Sequence, residues 1–224
     1  KNACENADFI LNGDDDKLST VKTVNGKKPV FFGLDAKNDF YAKNIKNSGD
    51  GKVLATLCFD NNNIDVEIPA IGTYMVTNAL AAGKLLGLTD EEIANGVASY
   101  KTVGSRANVI NTGKIKIIDD CYNANPTSVR ASLDTLSNLD GRKVAILGDM
   151  KELGSEELKL HFDTGVYAKS KGIGTVITVG ELAKELAKGA DGKAFDTIED
   201  AKPEILKTIK SGDVVLVKAS HSMQ

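Results

Sequence analysis

The chain has 224 residues, of which 42% are hydrophobic and 26% charged, and its formal net charge at pH 7 is -3. This composition is typical of a globular protein with room for one large domain or two small ones. The acidic balance gives no electrostatic reason to expect binding to nucleic acid or to an anionic membrane. No apolar run approaches the length of a membrane span.

Three cysteines are scattered at Cys4, Cys58 and Cys121. An odd number without a C-x-x-C pair predicts neither a disulfide framework nor a zinc site. We therefore expect a reducing, cytoplasmic compartment. The chain begins at Lys1 rather than at a methionine, and we expect it to be a piece of a longer polypeptide.

The first part of the chain mixes short apolar runs with loops rich in turn residues. Residues 9–11 and 29–33 are short apolar runs. Residues 52–59 and 64–68 flank the polar turn 60–63, a pattern that predicts an antiparallel hairpin.

Two helices are predicted after this hairpin. Apolar residues recur with helical spacing from Met75 to Leu86. The next helix has a capping box at residues 89–92, and Leu88 and Ile93 are placed as its hydrophobic staple.

From about residue 108 onward, predicted strands and helices alternate. We expect strands at 115–119, 143–148, 174–179 and 213–218, and helices near 126–138, 155–171, 181–189 and 199–210. Continuous apolar strands suit a parallel sheet that is covered on both faces. The alternation predicts an α/β fold, with a C-terminal Rossmann-like domain built on a mostly parallel sheet. The stretch 101–113 is expected to link this domain to the preceding part.

Common catalytic signatures are missing from the sequence. The Gly-Lys pairs at 51–52 and 113–114 are not followed by Ser or Thr, so no G-x-x-x-x-G-K-[ST] phosphate loop is present. No serine lies in a G-x-S-x-G elbow. The carboxylates next to Cys121 raise a thiol pKa rather than lower it, which disfavours a cysteine nucleophile. We find no complete catalytic set.

The most informative stretch is residues 115–126. A β-branched strand ends there at two carboxylates, a polar turn follows, and Asn125-Pro126 open a helix. Ligands of open α/β sheets collect where a strand's carboxyl end meets a helix N-terminus. The carboxylates suit a metal ion or a ribose, or they simply finish a strand and pair with a lysine. Asn125 is also explained as a helix N-cap, whereas Asn123 is not needed for one.

Two further polar clusters follow later predicted strands. Residues 148–154 place Asp149 and Glu152 between glycines, and residues 218–222 contain a lysine, a histidine and two serines. Each has a structural alternative, a turning loop in the first case and a solvated chain end in the second. Function is favoured because parallel strands would bring all three clusters to one edge of one sheet.

These clusters, in this order, resemble the Mur ligase family of peptidoglycan synthesis. The similar segments are DDCYNANP (119–126), VAILGDMKELG (144–154), VLVKASHSM (215–223), GTYMVTNAL (72–80) and GSR (104–106). The Tyr-Asn-Ala-Asn-Pro turn is similar to that of members that add D-alanyl-D-alanine. It disfavours a member that adds diaminopimelate or lysine.

The resemblance implies ATP-dependent amide-bond formation through an acyl phosphate. It implies ATP and Mg²⁺ as cofactors, UDP-N-acetylmuramoyl-tripeptide and D-alanyl-D-alanine as substrates, and a cytoplasmic monomer. It also implies that residues 1–108 are the C-terminal part of the central ATPase domain. Residues 109–224 would then be the C-terminal Rossmann-like domain without its last helix.

The resemblance also assigns binding residues. Those that would contact the nucleotide are Asn78, Arg106, Asp120, Tyr122, Asn123 and Asn125. Those expected near the dipeptide are Asp149, Lys218 and Ser222. Tyr74 and His221 depart from the histidine and arginine that are usual in the family at these places. No metal ligand is assigned within this chain.

The family's UDP-sugar domain, its phosphate loop and its Mg²⁺-binding acid have no counterpart in this sequence. We therefore expect the chain by itself to be catalytically inactive. A second hypothesis is a stand-alone, non-catalytic α/β module that binds a nucleotide or a partner.

Overall fold

The computed structural model describes residues 7–48, 51–59, 62–83, 87–101 and 106–223. Contacts divide the chain into two compact units, Lys1–Lys101 and Thr102–Gln224, whereas the sequence places the domain boundary after residue 108. In the described part of the chain, every helix is too short or too polar to cross a membrane. Each unit has its own sheet.

The first unit contains a five-stranded mixed sheet. Its strands lie in chain order: β1 (Ile10–Asn12), β2 (Val30–Gly33), β3 (Phe40–Asn47), β4 (Val53–Phe59) and β5 (Asn62–Ile68). The first three strands run parallel to one another, and β4 and β5 are each antiparallel to the strand before them. The predicted hairpin is therefore confirmed. Strand β3 was not predicted, because its alternation is interrupted by a register shift between Lys43 and Lys46 and a positive φ at Asn44.

Two helices pack against this sheet, α1 (Tyr74–Gly83) and α2 (Asp90–Ala98). Leu80 and Ile93 are completely or almost completely buried in the core that the helices and the sheet share. The predicted capping box is confirmed, because the Glu92 N–H donates to Thr89 Oγ1 and the Thr89 N–H donates to the Glu92 carboxylate. Leu86 lies outside the described residues.

The second unit contains a six-stranded sheet in the order β10-β9-β8-β11-β7-β6. Its strands are β6 (Asn108–Asn111), β7 (Lys116–Asp119), β8 (Arg142–Gly148), β9 (Thr175–Val179), β10 (Lys193–Phe195) and β11 (Asp213–Lys218). All pairings are parallel except that of β6 with β7. The four predicted strands and the α/β fold class are confirmed. The stretch predicted to be the linker, 101–113, contains β6, a short edge strand that was not predicted, and residues 102–105 lie outside the described residues.

The four predicted helices of this unit are also confirmed: α3 (Pro126–Ser137), α4 (Glu157–Ser170), α5 (Ala183–Ala190) and α6 (Ile198–Thr208). Helix α4 packs against α3 and α5. Its contact with α5 is close because both helices carry a glycine there. A Cβ atom added at Gly165 would lie 2.0 Å from the Leu186 carbonyl oxygen.

The strand order brings the three polar clusters together. Strand β11 lies between β7 and β8 and runs parallel to both, with Val217 beside Asp119 and Lys218 beside Leu147. The carboxyl ends of these strands therefore meet at one edge of the sheet. We refer to residues 119–125, 148–154 and 218–223 at this edge as the rim.

At the opposite edge of the sheet, a buried carboxylate, that of Asp213 at the start of β11, binds residues of two neighbouring segments. Asp213 is 2% exposed, and Arg142 donates to it from Nε (2.8 Å) and Nη2 (2.6 Å). The Lys210 N–H donates to the same carboxylate at 2.6 Å. These donors, the guanidinium above all, hold the pKa of the Asp213 carboxyl below its ordinary value.

We predict that Asp213→Ala lowers the free energy of unfolding at pH 7 by about 2 kcal/mol, measured by urea denaturation. Because the folded-state pKa is lowered, this stabilisation is complete above pH about 4 and is lost as the pH falls further. The control is Asp196→Ala, since its 69% exposed carboxylate pairs with Lys184 in water and should contribute at most about 0.5 kcal/mol. Equal losses in the two variants would contradict the prediction.

Candidate functional site

A buried lysine joins two of the three rim clusters. The side chain of Lys218 is 3% exposed, and its Nζ donates to Asp120 Oδ2 at 2.6 Å and to the Asn123 carbonyl oxygen at 2.8 Å. Pairing with a lysine is the structural alternative that the sequence left open for Asp120. A solvated chain end, the structural alternative for the third cluster, is wrong for Lys218 because its side chain is buried. A buried ammonium needs acceptors such as these.

The Asp120 carboxylate has two further donors. Its Oδ2 accepts from the Ser132 hydroxyl at 2.7 Å, and its Oδ1 accepts from the Ala107 N–H at 3.1 Å. These contacts tie the end of β7 to α3 and to the segment before β6. Asp120 therefore organises its surroundings in this structure, and its predicted contact with a nucleotide stays a prediction.

The second cluster is organised around Asp149, which is also 3% exposed. Its Oδ1 accepts from the Ala183 N–H at 2.8 Å, at the first residue of α5, and its Oδ2 accepts from Lys151 Nζ at 2.7 Å. A carboxylate at a helix N-terminus is stabilised by the helix dipole. Asp149 thus holds α5 and the Lys151 side chain, and its predicted contact with a dipeptide stays a prediction, as does that of Lys218.

Ser220 connects all three clusters. Its hydroxyl accepts from the Lys151 N–H at 3.0 Å and donates to the Ala124 carbonyl at 3.5 Å, and its own N–H donates to the Asp149 carbonyl at 3.2 Å. The sequence pattern does not single out this serine. In the sequence, Ser220 looks like any other serine. Its contacts with the three loops are seen only in the folded structure.

A completely buried histidine holds the middle of the second cluster. The Met150 N–H donates to His161 Nε2 at 2.9 Å. The ring proton therefore lies on Nδ1, which is 2.7 Å from the Glu157 carbonyl oxygen. Nothing in the sequence around His161 distinguishes it from a core residue, and only the loop that it contacts shows its role.

The exposed part of the rim includes an aromatic platform. Tyr122 is 46% exposed, and the Arg106 guanidinium lies 3.6 Å from its ring centroid. The His221 ring is tilted beside it, with the centroids 5.9 Å apart. An exposed tyrosine with a cation over its face can bind another planar group by stacking.

A cavity of about 380 Å³ opens beside this platform. It is lined by Tyr122, Asn123, Lys151, Glu152, Ser220, His221 and Ser222. The cavity thus joins the predicted nucleotide residues Tyr122 and Asn123 to Ser222, which was predicted near the dipeptide.

The asparagines of the first cluster differ in their roles. Asn125 caps α3, because the Ser128 N–H donates to its Oδ1 at 2.8 Å. The Asn123 side-chain oxygen accepts from the Ala124 N–H at 2.8 Å, which leaves its NH₂ group as a donor. The N-cap explanation for Asn125 is confirmed, and both nucleotide contacts stay predictions.

Two residues predicted to bind the nucleotide belong to different units. Arg106 lies in the second unit with Tyr122, whereas Asn78 is an exposed residue of α1 in the first unit. There Asn78 borders a largely apolar cavity of about 370 Å³ between α1 and α2. Gly104 and Ser105, which were matched together with Arg106, lie outside the described residues.

Two residues on and beside the rim have a strained backbone. Ala107 has φ +52° and Glu152 has φ +64°. The other described non-glycine residues with positive φ are asparagine or aspartate, which tolerate this conformation better. For Ala and Glu it costs about 1–2 kcal/mol, and such strain persists only where neighbouring contacts impose it.

The surroundings of the Cys121 thiol disfavour its activation as a nucleophile. Burial, reinforced by the charges of Asp119 and Asp120, raises its pKa to about 11. This raised pKa agrees with the sequence-based rejection of a cysteine nucleophile, which stays a prediction. Among the described residues, no three His, Cys, Asp or Glu side chains come together as a metal site.

Comparison with known proteins gives matches along most of the chain. Residues 1–86 match the Mur ligase middle domain, and residues 105–221 match the Mur ligase, glutamate ligase domain. The chain is 31% identical to the UDP-N-acetylmuramoyl-tripeptide--D-alanyl-D-alanine ligase of Bacillus subtilis, over 98% of the chain and 50% of that protein. It is 33% identical to the Escherichia coli protein of that name, over 97% and 50%.

Solved structures agree with these matches. The crystal structure of MurF from Acinetobacter baumannii superposes with a TM-score of 0.87 at 28% identity, over 96% of this chain and 49% of that one. MurF ligase from Thermotoga maritima in complex with ADP gives a TM-score of 0.85 at 27% identity, over 98% and 51%. The chain thus spans about half the length of the relatives that it matches.

We predict that Lys218→Met lowers the free energy of unfolding by about 3 kcal/mol, because it leaves Asp120, whose side chain is only 13% exposed, without its cation. The measurement is urea denaturation at pH 7. The control is Lys159→Met, which removes an exposed ammonium that pairs with Asp163 one helical turn away and should cost at most about 0.5 kcal/mol. A Lys218→Met variant as stable as its control would show that the buried pair is not needed.

Proposed function

Because the chain belongs to the Mur ligase family, we propose that it is part of an ATP-dependent ligase that joins D-alanyl-D-alanine to UDP-N-acetylmuramoyl-tripeptide. The observation that carries this proposal is the meeting of the three family-like clusters at one rim beside a polar cavity. The names of the most similar relatives support the choice of substrates.

The proposed parent enzyme is about twice as long as this chain, as its relatives are. We assign the first unit to the later part of the central ATPase domain and the second to the domain that brings the dipeptide. The remaining sequence of the parent would supply the phosphate loop and the UDP-sugar domain. We further propose that the enzyme is a cytoplasmic monomer.

The proposed nucleotide contacts use the exposed side of the rim. Tyr122 offers an aromatic face for adenine, and Arg106 offers a cation near a phosphate or ribose. The NH₂ group of Asn123 can donate to a ring nitrogen or a ribose oxygen. Asp120 would act mainly by holding the turn that carries these groups, with Asn125 beginning the helix behind them.

The proposed reaction needs no covalent bond to this chain. The tripeptide carboxylate takes the terminal phosphoryl group of ATP and ADP leaves. The dipeptide amine, having lost a proton, then attacks the acyl carbonyl carbon and phosphate departs. The rim's contribution is to position the amine, and holding reactants in place is a major source of rate enhancement. Ser222, on the cavity wall, is a proposed dipeptide contact.

Mg²⁺ is the metal ion that the family's use of ATP implies. The described residues do not fit a protein-held Mg²⁺ site, because they bring no group of three candidate ligands together. Mg²⁺ prefers oxygen ligands and commonly binds through substrate phosphates with few protein carboxylates. We assign no residue of this chain to it.

We predict that the full-length polypeptide of this gene releases ADP only when ATP, Mg²⁺, UDP-N-acetylmuramoyl-tripeptide and D-alanyl-D-alanine are all present. The chain of residues 1–224 alone should release none, because it has no phosphate-loop lysine to hold the triphosphate. A coupled ADP assay measures both, and reactions without the dipeptide are the control.

Robust ADP release by residues 1–224 alone would contradict the account of the missing parts. A full-length polypeptide that binds ATP but forms no amide product would contradict the ligase assignment. That second result would favour a non-catalytic binding module.

A further inference from the structure

We infer that the Glu152 carboxylate binds the ammonium group of the incoming dipeptide. This inference rests on the proposed function and adds a residue that the sequence analysis placed in a cluster but did not assign. It is carried by the charges lining the rim cavity, by the loop that presents Glu152, and by the strained backbone of Glu152 itself.

Most of the charges around the cavity already have partners. Lys151 is paired with Asp149, and Lys218, behind the wall, is paired with Asp120. Glu152 lines the cavity, is exposed, and has no hydrogen bond or ion pair with any described residue. Glu152 is thus the one charged residue on the cavity wall that has no partner among the described residues, and a carboxylate suits a cation.

The loop before Glu152 is held at three consecutive residues. The Asp149 carbonyl accepts from the Ser220 N–H, the Met150 N–H donates to His161 Nε2, and the Lys151 N–H donates to Ser220 Oγ. These partners are buried, since Ser220 is 5% and His161 0% exposed. The position of Glu152 is therefore fixed by the fold rather than by its own side chain.

The backbone of Glu152 adopts a conformation that glycine would adopt more easily. Its φ of +64° lies in the left-handed region, and Gly154, two residues later, has φ +69°. An acidic side chain at a strained position beside a cavity points to a role for that side chain. A purely structural turn would be better served by glycine.

The rest of the cavity complements a zwitterionic dipeptide. The His221 ring lines the same wall, together with two uncharged donors, the Ser222 hydroxyl and the Asn123 NH₂ group. Such donors can bind the dipeptide carboxylate. The wall thus offers an acceptor for the amino end and donors for the carboxyl end.

The test is isothermal titration calorimetry of the chain with D-alanyl-D-alanine and with N-acetyl-D-alanyl-D-alanine, which lacks the ammonium. The wild-type chain should bind the free dipeptide about tenfold more tightly, as expected for a charge-assisted hydrogen bond. Glu152→Gln should bind both ligands equally. Glu152→Gly should also lose the preference while unfolding at a higher temperature, because it relieves the strained backbone.

The matched control is Glu91→Gln, which removes one exposed carboxylate from α2 of the other unit and should keep the tenfold preference. The inference is overturned if Glu152→Gln retains the preference, or if the wild-type chain shows none or binds neither ligand. None of these outcomes rejects the proposed function if the full-length polypeptide still forms the amide with D-alanyl-D-alanine. Failure of that reaction would instead reject the function itself.

Discussion

The rim depends on the hydrogen bonds and the ion pair that the buried ammonium of Lys218 makes. A charge removed from water must be surrounded by acceptors, and Lys218 finds them in the Asp120 carboxylate and the Asn123 carbonyl. This requirement fixes the end of β11 against the turn that follows β7. Through Asp120 it also fixes Ser132 on α3 and Ala107 before β6. The strained φ of Ala107 is thus imposed by the same network.

Buried and exposed groups of the rim have different roles. Buried charges and hydroxyls, such as Asp149 and Ser220, hold loops and helix starts in place. Exposed groups, such as Tyr122 and Glu152, face the cavity and are available to ligands. Both classes of residue lie within the segments that resemble the family, so the sequence alone does not separate them. Only burial and hydrogen bonding separate the groups that build the rim from those that can contact a ligand.

Four strands of the parallel sheet were predicted well, because a short continuous apolar run between two helices rarely forms anything but a buried strand. The sequence also predicted that three clusters would share one edge, since parallel strands leave no choice of end. It missed β3, β6 and β10, which are interrupted or short, and their pairing is decided by neighbouring strands rather than by their own residues. It could not show that Lys218 and Asp149 are buried, because burial depends on the loops that cover them.

The central claim is that the rim cavity is the place where nucleotide and dipeptide meet. The most direct measurement is a crystal structure of the chain soaked with a non-hydrolysable ATP analogue and D-alanyl-D-alanine. The account predicts adenine stacked on the ring of Tyr122 and the dipeptide within the cavity lined by residues 151, 152 and 222. Ligand density at the opposite edge of the sheet, near Arg142 and Asp213, with none at the rim, would contradict it.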